Sequence, residues 1–144
     1  MIQLLEIPLP PTANHRLMPM CMGGRGRLIK SPKFRKWEKD MSLMAADNRF
    51  KCAAYKGFPV IIPFDGDELF VGIDIRWPDK RKRDLDGPVK PLLDLLVREN
   101  FIEDDSHIAA INVNRRLAGT FEGSLIPGTC DITISTLKYH LEPF

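Results

Sequence analysis

Apolar residues recur along this chain with two different periods, and each period predicts a different element. Residues 2–7 are short, apolar and stopped by Pro8, Pro10 and Pro11, which predicts a first strand running into a proline-stiffened loop. Leu69, Val71, Ile73, Ile75 and Trp77 alternate with Phe70, Gly72, Asp74 and Arg76, the period of two of a strand with unequal faces, and Pro78 ends it. Two later runs, residues 108–117 and 130–137, are also strand-like. Between the strands the period lengthens. Phe34, Trp37, Met41, Met44 and Ala45 recur at helical spacing behind the start signal Ser31-Pro32, predicting a helix that ends near Cys52, before Gly57-Phe58-Pro59. Leu92, Leu93, Leu95, Leu96 and Val97 predict a second helix, with Asp86 as its N-cap and Pro88 and Pro91 in or near its first turn.

The expected fold is therefore α+β: a single small domain over residues 1–144, with a mixed sheet in the order β-α-β-α-β-β and two helices packed on it. The stretch 12–30 reads as a long loop. Its tip, Gly23-Gly24-Arg25-Gly26-Arg27, either caps a small hairpin or orders only on meeting a ligand.

Composition adds that this is a globular chain, 44% hydrophobic and 28% charged. A net charge of +2 is too small to identify a partner, so the positions of the charges matter more. Arg16, Arg25, Arg27, Lys30, Lys33, Arg35, Lys36 and Lys39 fall in one stretch, and Lys80-Arg81-Lys82-Arg83 form a second block. Such runs are often only solvated surface; beside the right chemistry they read as a phosphate-binding face. Cys21, Cys52 and Cys130 are odd in number and lack C-x-x-C spacing, which argues against a disulfide framework or a zinc site and makes a reducing cytoplasm the expected location. The start of the chain lacks the features of a signal peptide, and no stretch has the length of a membrane span, so no membrane partner is expected.

The candidate chemistry follows the second basic block. Asp84 and Asp86 are two residues apart, and in an extended segment their carboxylates would point the same way, a suitable half-site for magnesium. A D-x-D pair alone is weak, because it occurs by chance in charged loops. Three neighbours strengthen it. Lys90, one helical turn after Asp86, is either an ordinary ion-pair partner or a cation held beside the scissile phosphate. The cations at 80–83 can offset repulsion between the carboxylates and DNA. A helix of ordinary length would return Asp104-Asp105 toward the same end of the sheet, supplying a third carboxylate for metal-assisted phosphodiester hydrolysis.

The run from Asp79 to Asp86, followed by Lys90, Asp94-Leu95-Leu96 and Phe101-Ile102-Glu103-Asp104-Asp105, resembles the central motif of the RusA family of Holliday junction resolvases. The opening Leu9-Pro10-Pro11-Thr12-Ala13-Asn14-His15-Arg16 is similar to that family's proline-rich start. The resemblance implies a homodimeric endonuclease that resolves four-way junctions by paired symmetric nicks. It further implies Mg2+, with Mn2+ as a substitute, held by Asp84, Asp86 and Asp105, Lys90 essential for cleavage, and no small-molecule cofactor. Arg16, Lys80, Arg81, Lys82 and Arg83 are the expected DNA contacts. Two departures stand out: Gly87 replaces the family's usual asparagine, and residues 56–68 form a longer stretch than its norm. A dimer also has a reason of its own, since a four-way junction has approximate twofold symmetry.

Rival readings are a non-catalytic branched-DNA-binding protein and a different metal-dependent phosphohydrolase. Asp84-Leu85-Asp86-Gly87 is superficially similar to the nucleophile loop of haloacid-dehalogenase-like phosphatases, but Pro78 and the basic run separate it from its strand. A calcium loop fails because Pro88 occupies a ligand position and no glutamate closes it. His15, His107 and His140 have no partners at catalytic spacing, and Ser106 and Cys130 lack a recognisable base.

Overall fold

A computed structural model of the chain describes residues 2–46, 51–54, 68–79, 81–116 and 128–136. A strand, β1 (Ile2–Pro8), leads into a one-turn helix, α1 (Ala13–Arg16), and then two strands, β2 (Leu17–Met22) and β3 (Arg25–Lys30). Helix α2 (Pro32–Ala46), strands β4 (Lys51–Ala54) and β5 (Leu69–Arg76), and helix α3 (Val89–Arg98) follow. A 3-10 turn at Asp105–His107 then precedes β6 (Ile108–Arg116) and β7 (Thr129–Thr136).

The α+β class and the mixed sheet stand, but the expected order β-α-β-α-β-β with two helices is wrong. The described residues contain three α-helices and seven strands. Four short elements, α1, β2, β3 and β4, account for the difference. β2 and β3 pair as a separate two-stranded antiparallel hairpin, closed by Gly23 and Gly24 at φ +60° and +75°. Two successive left-handed residues match the twist of a tight hairpin, and glycine adopts them at no steric cost. Its strand residues Leu17, Met18, Met20 and Met22 show no clean alternation, so no period of two was visible. α1 is only four residues long, too short to carry a helical stripe. α2 ends at Ala46 and not near Cys52, which lies in β4 opposite Leu4. The Gly57-Phe58-Pro59 signal and nearly all of 56–68 fall outside the described residues, as does His140.

The main sheet has the order β4-β1-β7-β5-β6, with β5 and β6 parallel and the other pairs antiparallel. Leu69, Val71, Ile73 and Ile75 of β5, with Cys130, Ile132 and Ile134 of β7, form one fully buried face. Trp37 and Met41 from α2 and Leu92, Leu95 and Leu96 from α3 belong to the same core cluster, as the helical stripes predicted. Ser31 caps α2 by accepting from the Phe34 amide at 3.1 Å, with Pro32 at the first helical position. α3 ends in a Schellman arrangement: Asn100, at φ +62°, donates to the Val97 carbonyl, and Phe101 donates to that of Leu96. The turn also drives Phe101 into the core beside Leu96.

On the opposite face of the sheet, Arg76 is 4% exposed and binds Asp131 in a two-pronged pair at 2.7 and 2.8 Å. Thr129 accepts from Arg76 Nε at 3.1 Å, and the Glu6 amide donates to Asp131 at 2.9 Å. The pair therefore joins β5, β7 and β1. Glu6, at φ +56°, sits in the irregularity between Leu4 and Ile7 where the register of β1 against β7 shifts. Hydrogen bonding to Asp131 raises the Arg76 pKa. For Asp131 burial acts upward, but hydrogen bonds from Arg76 and the Glu6 amide outweigh it and hold the carboxyl below its ordinary range.

Removing one member of a buried pair leaves the other charge uncompensated, whereas an apolar replacement of both does not. Asp131→Ala is expected to lower the unfolding free energy by about 3–5 kcal/mol, and Arg76→Met with Asp131→Leu by clearly less. Urea unfolding followed by tryptophan fluorescence measures both; a single variant no worse than the double would show that the pair is not what joins the strands.

Candidate functional site

The segment carrying the candidate chemistry leaves the sheet at the C-terminal end of β5. Gly128 donates to the Arg76 carbonyl at 2.7 Å and accepts from the Leu9 amide at 3.0 Å, so the ends of β1 and β5 and the start of β7 meet there. Trp77, buried at 7% exposure, follows directly. Pro78 then turns the chain out. Trp37 Nε1 donates to the Pro8 carbonyl at 2.9 Å, fixing the proline-rich segment from the α2 side.

Asp79 organises the basic run. Its carboxylate accepts from both terminal guanidinium nitrogens of Arg83 at 2.6 and 2.9 Å and from the Arg81 amide at 3.0 Å. Arg83 also lies over the Trp77 ring, 5.3 Å from its centroid. The Arg83 hydrogen bonds, then that from the Arg81 amide, lower the Asp79 pKa to about 2. The expected row of DNA-facing cations thus divides. Arg83 is clamped inward at 20% side-chain exposure, while Arg81 is 84% exposed. Lys82 is exposed, Arg16 is half-buried, and Lys80 lies outside the described residues.

Asp84 and Asp86 are exposed, but they do not sit in an extended segment as expected. The Gly87 amide donates to the Asp84 carbonyl at 3.3 Å and the Val89 amide to that of Asp86 at 3.1 Å, so Asp84 to Gly87 is a β-turn feeding α3. Asp86 is not the N-cap either. That position falls to Pro88, without a side-chain cap, because the two turns delay the first helical residue to Val89. A Cβ on Gly87 would meet only the Asp84 carbonyl at 3.4 Å, so the turn tolerates a small side chain here.

Lys90 does not pair with Asp86. Its Nζ lies 2.9 Å from Asp94 and 3.3 Å from Asp105, and those hydrogen bonds, that of Asp94 first, raise its pKa. Asp104 is occupied otherwise: its side chain accepts from the Ser106 amide at 2.8 Å and caps the 3-10 turn. That bond above all, helped by the Ser106 hydroxyl and Asp105, lowers the Asp104 pKa. The two acidic neighbours therefore have different duties, one in local structure and one facing Lys90. β6 runs parallel to β5 with Ile108 beside Leu69, so Asp105 enters from the opposite end of β5 to the one where the Asp84 loop departs. Asp104-Asp105 thus does not return to the sheet end expected of it, and contact is made through the Lys90 side chain.

The donors are of the kind magnesium takes, exposed carboxylate oxygens with room for water. Among the described residues, however, no three His, Cys, Asp or Glu side chains gather into a metal-holding group. Cys130 is inert, since burial pushes its thiol up to about 12. Sequence reasoning missed the Asp79–Arg83 clamp and the Lys90–Asp94 pair, although both are four-residue spacings visible in the chain. Among the described residues, no helix is long and apolar enough to cross a membrane.

Over 125 residues, 87% of its length, the chain is 26% identical to the crossover junction endodeoxyribonuclease RusA of Aquifex aeolicus (strain VF5), and the match covers 86% of that protein. This is a distant similarity to a nuclease. No family model matches the chain.

The Asp79 carboxyl lies lower in the folded chain than when unfolded, so its clamp on Arg83 stabilises fully above the ordinary carboxylate range and is lost as pH falls toward about 2. Asp79→Asn is expected to show a smaller drop in urea midpoint between about pH 5 and about pH 2.5 than the parent chain. Equal drops would mean that the clamp does not contribute to the acid limb.

Proposed function

We propose that this chain is a metal-dependent endonuclease that nicks branched DNA, four-way junctions above all, acting as a homodimer. The observation that carries the reading is the reach of Lys90 to Asp105 at 3.3 Å, which joins two parts of the RusA-like motif fifteen residues apart. The similarity to a crossover junction endodeoxyribonuclease over 87% of the chain supports it from a separate direction.

Within this reading, Asp84, Asp86 and Asp105 are the residues that would hold magnesium, and because they are not gathered among the described residues they would do so only once the Asp84 turn and Asp105 draw together. A bound ion of that type lowers the pKa of its water and offsets charge on a phosphate. The chain's own side chains do the rest. Lys90, 70% exposed and held only by exposed carboxylates, can leave them for the scissile phosphate. Arg81 and Lys82 face solvent and can neutralise flanking phosphates, while Arg83 acts indirectly by fixing the shape of the loop. Two copies related by a twofold axis would address the two symmetric strands of a junction. The rival, a non-catalytic binder of branched DNA, draws on the ungathered carboxylates among the described residues.

The readings separate on variants. Asp84→Asn, Asp86→Asn and Asp105→Asn should each cut nicking of a synthetic four-way junction by about 100-fold or more while leaving its dissociation constant within a few fold. Nicking retained in any one of them removes that residue from the site. Joint replacement of Arg81 and Lys82 by alanine should reduce the salt slope of junction binding by about 2, at roughly 0.9 for each phosphate no longer neutralised. An unchanged slope would turn this face of the loop away from DNA.

A further inference from the structure

Beside Asp84 lies a cavity of about 300 Å³ whose walls include Pro10, Ala13, Asn14, Trp77, Asp84 and Pro88. A second cavity, of about 390 Å³, shares Pro10, Pro11, Thr12, Trp77 and Arg83 with the first and extends to Lys33. Together they form one groove between the proline-rich segment after β1 and the loop after β5. Trp77 lines both parts, and its Nε1 is buried with no hydrogen-bond partner among the described residues. A buried donor without an acceptor calls for an explanation, and a ligand that supplies the acceptor is one.

We infer that this groove takes one unpaired nucleobase of the branched DNA, held beside the strand presented to Asp84. The inference rests on the nuclease reading and adds to it a subsite that the motif residues do not contain. Four features favour a base over another occupant. The volume next to Asp84 is at the lower end of the roughly 300–1,000 Å³ of small-molecule pockets, enough for a single nucleotide. Much of the wall is apolar, three prolines and an indole, as suits an unstacked aromatic ring. The polar groups of the walls are the Asn14 amide and the Thr12 hydroxyl, which can pair with a base edge, and the charged Arg83 and Asp84; the Trp77 indole beneath them keeps a buried N–H that lacks an acceptor among the described residues. Lys33 at the far end offers a cation for a neighbouring phosphate. A branch point also supplies what the groove needs, because stacking is interrupted there and a base leaves the stack at less cost than within a continuous duplex.

The experiment is a double-substitution cycle between the groove and the DNA. Four-way junctions are made with a single abasic residue at each nucleotide flanking the branch point in turn, and binding is measured in EDTA, so that no nicking occurs. The proteins are the parent chain, Ala13→Phe, which fills the cavity from an exposed position, and Trp77→Phe, which removes only the donor and some ring area. Circular dichroism checks that each variant folds. At one position the change in dissociation constant on base removal should differ between the parent chain and Ala13→Phe by about tenfold, and in the same direction for Trp77→Phe by a smaller factor. Equal factors for the parent chain and whichever variants fold, at every position, overturn the subsite and leave the nuclease reading standing. A parent chain that binds no branched DNA overturns the nuclease reading and this occupant with it.

Discussion

The two-pronged pair between Arg76 and Asp131 is the interaction on which the position of everything functional depends. A guanidinium at 4% exposure is tolerable only with its charge matched and its donors used, and here Asp131 and Thr129 do both. The same carboxylate holds the Glu6 amide, so one side chain fixes β7 against β5 and pins the irregular turn of β1. From that pinned end, β1 delivers Leu9 and the prolines, and β5 delivers Trp77 and the Asp79 to Gly87 loop. Their common anchor is the Gly128 backbone, which bonds both Arg76 and Leu9.

Downstream of that anchor the charges fall into two groups by what they touch. Asp79 and Arg83 satisfy each other and cover the indole of Trp77, which stiffens the loop without leaving Arg83 as a free cation. Asp104 is likewise absorbed in capping the 3-10 turn. Asp84, Asp86, Arg81 and Lys82 remain exposed, and Lys90 is held only by exposed carboxylates in solvent, where such pairs are weak and easily exchanged. Residues with structural duties and residues available for substrate are thus interleaved in sequence yet distinct in space.

Much of this was legible in the chain. The strict alternation from Leu69 to Trp77 gave β5 nearly to the residue, and the stripe from Phe34 to Ala45 gave the core face of α2, because both elements bury one whole face. The hairpin of β2 and β3 was legible only as one of two readings of the glycine tip, since its residues are mostly exposed and its pairing is made by backbone and by two left-handed glycines. β4 escaped for a related reason: it is an edge strand of four residues, fixed by pairing with β1. At the candidate site, sequence spacing identified Asp84, Asp86, Lys90 and Asp105, but it could not foresee that Asp84 to Gly87 folds as a turn. A turn and an extended segment differ by a few backbone dihedrals that aspartate and glycine both allow. The groove at Trp77 was hidden for a further reason, because its two walls are more than sixty residues apart in the chain.

The central claim, that this scaffold serves metal-dependent incision of branched DNA, meets its most direct test in the unmodified protein. End-labelled four-way, forked and linear duplexes of matched sequence should be incubated with it, with and without Mg2+, and the products resolved to the nucleotide. The account predicts paired nicks placed symmetrically across the four-way junction, dependent on the ion and absent from the linear duplex. Binding without incision on any branched substrate, or incision that persists fully in EDTA, would contradict it.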